Sequence, residues 1–145
     1  MAPGRVLLYK LLQDLIRQRK KLVWDHAPHS PITLRDVKDT QEVVEAKLDS
    51  SFFRVRTDRV TELELQYMRA MAELGPQPQV AKDVASLMHR TSEQLGPTRS
   101  RLIEKGLLYT PAHGLAAFTV PQFDRYMRRA HALDVPPPKP RAPRR

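Results

Sequence analysis

The chain has 145 residues, with 25 Lys+Arg against 16 Asp+Glu and a formal net charge of +9. A cysteine count of zero excludes a disulfide scaffold, a thiolate nucleophile, Cys-ligated zinc and an iron–sulfur cluster. The excess charge sits at the ends: residues 1–29 carry net +4 and 135–145 net +4, while 30–59 are neutral and 60–134 carry only +1. Bulk charge therefore does not make the middle of the chain a DNA binder, and local placement has to.

Residues 5–25 read as a helix, because Val6, Leu7, Leu8, Leu11, Leu12, Leu15, Ile16, Leu22, Val23 and Trp24 recur at helical spacing. Lys10, Gln13 and Asp14 interrupt that stripe, so it is too polar for a membrane span or a signal peptide. The expectation is a soluble cytoplasmic protein whose first helix packs on something. Ala27-Pro28-His29-Ser30-Pro31 reads as a loop. Thr33 with Asp36 three residues on opens a second helix with Val37, Val43, Val44 and Leu48 on one face, ending near Asp49-Ser50-Ser51. Phe52 to Arg56 then reads as extended.

Thr61 with Glu64 repeats the capping signature and opens a helix to Leu74, with Leu63, Tyr67, Met68, Met71 and Leu74 inward. Gly75-Pro76 stops it. A short helix follows from Val80 to His89, with Val80, Val84, Leu87 and Met88 inward. Arg90-Thr91-Ser92 is a turn that caps a third helix reaching Lys105, with Leu95, Leu102 and Ile103 inward. Pro97 predicts either a kink or a start nearer Leu95. Gly106 closes this helix. Leu107–Thr110 and Leu115–Val120 form a hairpin around the turn Pro111-Ala112-His113-Gly114. Pro121 starts a last helix, Gln122 to Leu133, with Phe123, Tyr126 and Met127 inward. Residues 135–145 hold five prolines and four basic residues, the composition of a disordered tail.

The fold class expected is mainly α with a small β-hairpin: a winged helix-turn-helix preceded by two lid-like helices. The domains expected are an N-terminal helical segment over 1–58, a winged-helix domain over 59–134 and a tail over 135–145. In a helix-turn-helix the last helix enters the major groove and a wing reaches neighbouring phosphates. On this reading the outward side of the third helix offers Gln94, Thr98, Arg101 and Lys105, with Arg99 nearer the boundary. Arg90, Thr91 and Ser92 sit at its N-terminus, where backbone N–H groups favour a phosphate. His113 marks the wing tip. Lys139, Arg141, Arg144 and Arg145 add nonspecific, salt-sensitive affinity.

Four stretches carry a family resemblance: Val23-Trp24-Asp25, Ser30 to Val37, Leu48 to Arg56, and the run from Tyr67-Met68-Arg69-Ala70-Met71-Ala72-Glu73-Leu74-Gly75 to Ala117-Phe118-Thr119-Val120-Pro121. Together they resemble the C-terminal part of bacterial AAA-type ATPases related to origin-recognition-like proteins. The resemblance covers roughly residues 22–134. It implies that residues 22–56 correspond to the end of a helical lid and 60–134 to a DNA-binding winged helix. The phosphate-binding loop G-x-x-x-x-G-K-[ST] of that family has no counterpart here, so ATP hydrolysis does not carry over.

No enzyme pattern emerges. His26, His29, His89, His113 and His131 are scattered without metal-ligand spacing, and no serine lies in G-x-S-x-G. No catalytic set, metal or cofactor is expected. The leading expectation is a non-catalytic protein that binds double-stranded DNA. The alternative is a protein-interaction or regulatory module that docks an ATPase partner or forms a homodimer.

Overall fold

A computed structural model describes residues 3–26, 33–39 and 41–134. The loop read over 27–31 and the tail read over 135–145 lie outside the described residues. The chain divides into two units, Met1–Val60 and Thr61–Arg145. Its class is the expected one, mainly helical with a small antiparallel sheet. Among the described residues no helix is long and apolar enough to cross a membrane.

The first unit contains α1 (Pro3–His26), α2 (Leu34–Asp39), α3 (Gln41–Leu48) and α4 (Arg54–Thr57). Ile16 and Trp24, counted in the apolar stripe of α1, are exposed. The cap before α2 forms as its sequence predicts. Thr33 N donates to Asp36 Oδ2 at 2.7 Å, and Asp36 N donates to Thr33 Oγ1 at 3.3 Å. The extended segment expected over Phe52–Arg56 is instead helical. After α3 the chain widens into one π-helical stretch, Asp49–Phe53, and runs on into α4. The hydroxyls of Ser50 and Ser51 both donate to the Lys47 carbonyl, at 3.1 and 2.6 Å. They compete with the backbone donors for that acceptor and open the turn without ending the helix. Phe52 and Phe53 are both buried, with ring centroids 5.4 Å apart and nearly perpendicular. Arg56 lies over the Phe52 ring and donates to the Phe52 carbonyl.

The second unit runs α5 (Glu62–Leu74), β1 (Gln79–Val80), α6 (Ala81–Leu87), α7 (Ser92–Glu104), β2 (Leu108–Tyr109), β3 (Leu115–Phe118) and α8 (Phe123–Ala130). Its core gathers on α5, which packs against α6, α7 and α8. Tyr67, Met68 and Met71 are fully buried there, while Leu63 and Leu74 are only half-buried. Leu102 of α7 and Met127 of α8 are equally buried. Ile103, expected inward, is exposed, because the buried sector of α7 is narrow and defined by Leu95, Thr98 and Leu102.

The hairpin is the expected one, with Leu108 opposite Phe118 and Tyr109 opposite Ala117. The sheet has a third strand that periodicity does not reveal. Gln79, given no element by the sequence, and Val80, read as a helix start, pair with Ala116 and Leu115, so β3 lies between β1 and β2. The buried Gln79 side chain donates to the Gly75 and Gln77 carbonyls at 3.1 and 2.8 Å, which folds the proline-flanked turn back on itself. Thr119 fixes the base of the hairpin, its hydroxyl donating to the Gly106 carbonyl at 2.6 Å.

Two helix ends set where α7 lies. At the end of α6, His89 adopts φ +53° and Arg90 N donates to the Ala85 carbonyl at 2.9 Å. At the end of α7, Gly106 adopts φ +72°, Gly106 N donates to the Ile103 carbonyl and Leu107 N to the Leu102 carbonyl. Both are the paired-bond exit of an α-helix through a left-handed residue. Helix α7 begins at Ser92, capped by Thr91, and continues through Pro97. The start nearer Leu95 is therefore not what the chain adopts, because the Thr91 cap fixes the first turn.

Gly96 lies inside α7, and a Cβ there would meet nothing within 4 Å. Gly96→Ala is expected to raise the unfolding free energy by about 0.5–1 kcal/mol, the helix-propensity gain. Gly106→Ala, forced into the left-handed region, is expected to lower it by about 1–2 kcal/mol. Urea denaturation of the two variants checks both signs.

Candidate nucleic-acid interface

Glu64 stands at the third position of α5 and is fully buried. It completes a capping box: Glu64 N donates to Thr61 Oγ1, and Thr61 N donates to Glu64 Oε2 at 2.8 Å. The same carboxylate accepts from two cations of the α7 C-terminal half. Arg101 Nε donates to Oε1 at 3.0 Å and Lys105 Nζ to Oε2 at 2.6 Å. Burial alone would raise the Glu64 carboxyl, but the Lys105, Thr61 N–H and Arg101 hydrogen bonds outweigh it and hold the group at about 2.

This pairing changes what the expected interface offers. Arg101 and Lys105 are not independent solvated cations. They share one buried negative charge, and the cluster carries net +1. Thr98, expected outward, is 1% exposed and belongs to the core sector with Leu95 and Leu102. At 100° per residue Thr98 falls 40° from Leu102 and 60° from Arg101, on the edge of the leucine sector, so the side counted as outward is the flank of α7 that meets α5. Arg101 Nη2 lies 3.4 Å from the Thr98 hydroxyl.

The other expected residues are distributed around the helix start. Arg90, Thr91, Gln94 and His113 are exposed; Ser92 and Arg99 are half-buried and line a small depression beside Tyr67. Burial pushes the Tyr67 phenol up, and the Arg99 charge pulls it partly back. Arg90 borders a larger groove of about 340 Å³ with Leu63, Met88 and Leu133 among its lining residues, together with Glu62 and Asp134. Thr91 and Gln94 are engaged with each other: Gln94 N donates to Thr91 Oγ1, and Thr91 N donates to Gln94 Oε1 at 3.0 Å. Glu93 occupies the first turn as well, its carboxyl held below the usual range by its own backbone N–H and by the Thr91 side chain. An acidic group thus already complements the α7 N-terminus.

The residue that sequence reasoning missed is Glu64. Its position predicts the cap but not the second role, since its partners lie 37 and 41 residues away. Glu93, Pro97, Ser100 and Glu104, all exposed, form the side of α7 opposite the core.

Among known families, the model described as a domain of unknown function (DUF8462) matches residues 50–127, a little over half of the chain. No curated protein and no solved structure matches.

Removing Arg101 and Lys105 together strands a buried carboxylate. Arg101→Ala with Lys105→Ala is expected to cost about 3–5 kcal/mol, and Glu64→Gln, which keeps the cap and frees two cations that reach water, clearly less. The Glu64 carboxyl is lower in the folded protein than its ordinary 4.5. Its stabilisation is therefore complete above that value and lost as pH falls toward 2, by about 2 kcal/mol after allowing for the half-exposed partners. Acid unfolding should show this loss in the wild type and not in Glu64→Gln.

Proposed function

The chain belongs to the DUF8462 family, and we propose that its second unit is a non-catalytic, DNA-binding winged helix-turn-helix. The observation that carries the reading is the half-exposed side chain of Arg101, whose guanidinium is paired with a buried carboxylate. Three further features support it. The order helix, strand, helix, helix, hairpin, helix, with the last strand in the middle of the sheet, is that of a winged helix. A tight turn at His89–Thr91 joins α6 to α7, as helix-turn-helix docking needs. The sequence resembles the winged-helix end of origin-recognition-like ATPases.

In this reading α7 contacts the duplex through the Gln94–Arg101–Lys105 flank and its N-terminal turn. Arg90 takes a phosphate, and the hairpin tip with His113 reaches the adjacent backbone. Affinity is modest, because Glu64 cancels one of the two cationic charges and Glu93 opposes a phosphate at the helix start.

Those acids favour a second reading, a protein-interaction module. The side of α7 opposite the core carries Glu93 and Glu104 and no base. On the outer side of the sheet, Val80 and Tyr109 are exposed. A partner protein docked there, an ATPase or a second copy, makes no use of phosphate contacts.

Salt dependence separates the two. Binding to random-sequence duplex should weaken with a slope of log affinity against log salt of about −0.9 per phosphate contact. Arg90→Ala should reduce that slope by about one contact, and Glu93→Gln should tighten binding several-fold. A slope near zero, with neither substitution having an effect, would eliminate the DNA reading. A dimer or partner complex in sedimentation would then take its place.

A further inference from the structure

We propose that Glu64 and Thr98 aim Arg101 as a guanine reader, so that Glu64 is a positioning residue for base recognition. The proposal rests on the DNA-binding reading above and adds to it the base recognised and the residue that enforces it.

A guanidinium has two usable edges. One is formed by Nε–H and one Nη2–H on the side of the group, the other by Nη1–H and the second Nη2–H at its end. Here the side edge is committed to the protein: Nε donates to Glu64 Oε1 at 3.0 Å, and Nη2 lies 3.4 Å from Thr98 Oγ1. Both anchors are buried, Glu64 at 0% and Thr98 at 1% exposed. Glu64 is itself fixed by the Thr61 N–H and by Lys105. The Arg101 side chain nevertheless keeps 48% of its surface. Clamped on its side, it presents its end.

The end edge is the two-donor fork that pairs with guanine O6 and N7 in the major groove, and no other base offers two acceptors at that spacing there. A free arginine loses side-chain entropy on making that contact. Arg101 has already been ordered by the fold. Lys105 contributes differently: it is a point charge on the other carboxylate oxygen, keeps the cluster at net +1 and makes no planar fork.

The alternative is that Arg101 serves Glu64 alone and reads nothing. The substitution that separates the two is Arg101→Lys. Lysine keeps the charge and still pairs with Glu64, so stability and salt dependence are retained, while the fork is gone. The full chain is used to select binders from a randomised duplex library, with thermal melting and the salt slope measured alongside.

The wild type should select guanine at one position, with a preference of about tenfold to a hundredfold over the other bases. Arg101→Lys should lose that preference while its melting temperature and salt slope stay near wild type. Glu64→Gln, with Arg101 intact but its clamp weakened, should retain only part of the preference. This second variant decides the matter if Arg101→Lys does not fold. Salt-dependent binding with no selected guanine, or with the same preference in both variants, overturns this assignment and leaves DNA binding standing. Absence of salt-dependent duplex binding by the wild type overturns both.

Discussion

The second unit is organised around one buried charge. Glu64 has no contact with solvent, yet its carboxylate meets an amide N–H, an ammonium and a guanidinium. A carboxylate in an apolar core without such donors would cost several kcal/mol and take up a proton. With them it ties the first turn of α5 to the last turns of α7. Because the two cations are half in water, the arrangement escapes much of the desolvation cost of a fully buried pair.

That tie fixes which side of α7 faces inward. Leu95, Thr98 and Leu102 define a narrow core sector, and the cations stand on its flank at the α5 side. The helix ends reinforce this placement. The Thr91–Gln94 capping box fixes the first turn, and the Gly106 exit sends the chain directly into the hairpin. Thr119 then returns the hairpin to the same glycine. A surface helix held at both ends and clamped along one flank is a rigid platform. Recognition by shape and directed hydrogen bonds needs that rigidity.

Electrostatically the platform is restrained. Its cations are offset by Glu64, and its N-terminal turn and outer side carry Glu93 and Glu104. On the proposed DNA-binding reading, generic attraction to a polyanion is weak on such a surface, and selectivity would have to come from geometry. The excess of positive charge lies instead at the chain ends.

What the sequence determined by itself was most of what is governed by neighbours three or four residues apart. The Thr33–Asp36 and Thr61–Glu64 caps, the capping turn at Arg90–Ser92, the Gly75 and Gly106 stops, the hairpin and most of the buried faces of α5 and α8 follow from local hydrogen bonding and period. Even locally, the serines at 50 and 51 misled, since a hydroxyl that signals a helix end can equally insert into a helix and widen it. Only the tertiary structure decided the pairing of Gln79 and Val80 with β3, the inward turn of Thr98, the exposure of Ile103 and the joint claim of Arg101 and Lys105 on Glu64. Each of these depends on a partner distant in the chain. A two-residue strand has no period of its own, and a carboxylate that caps a helix gives no sign in its sequence context of which cations will reach it.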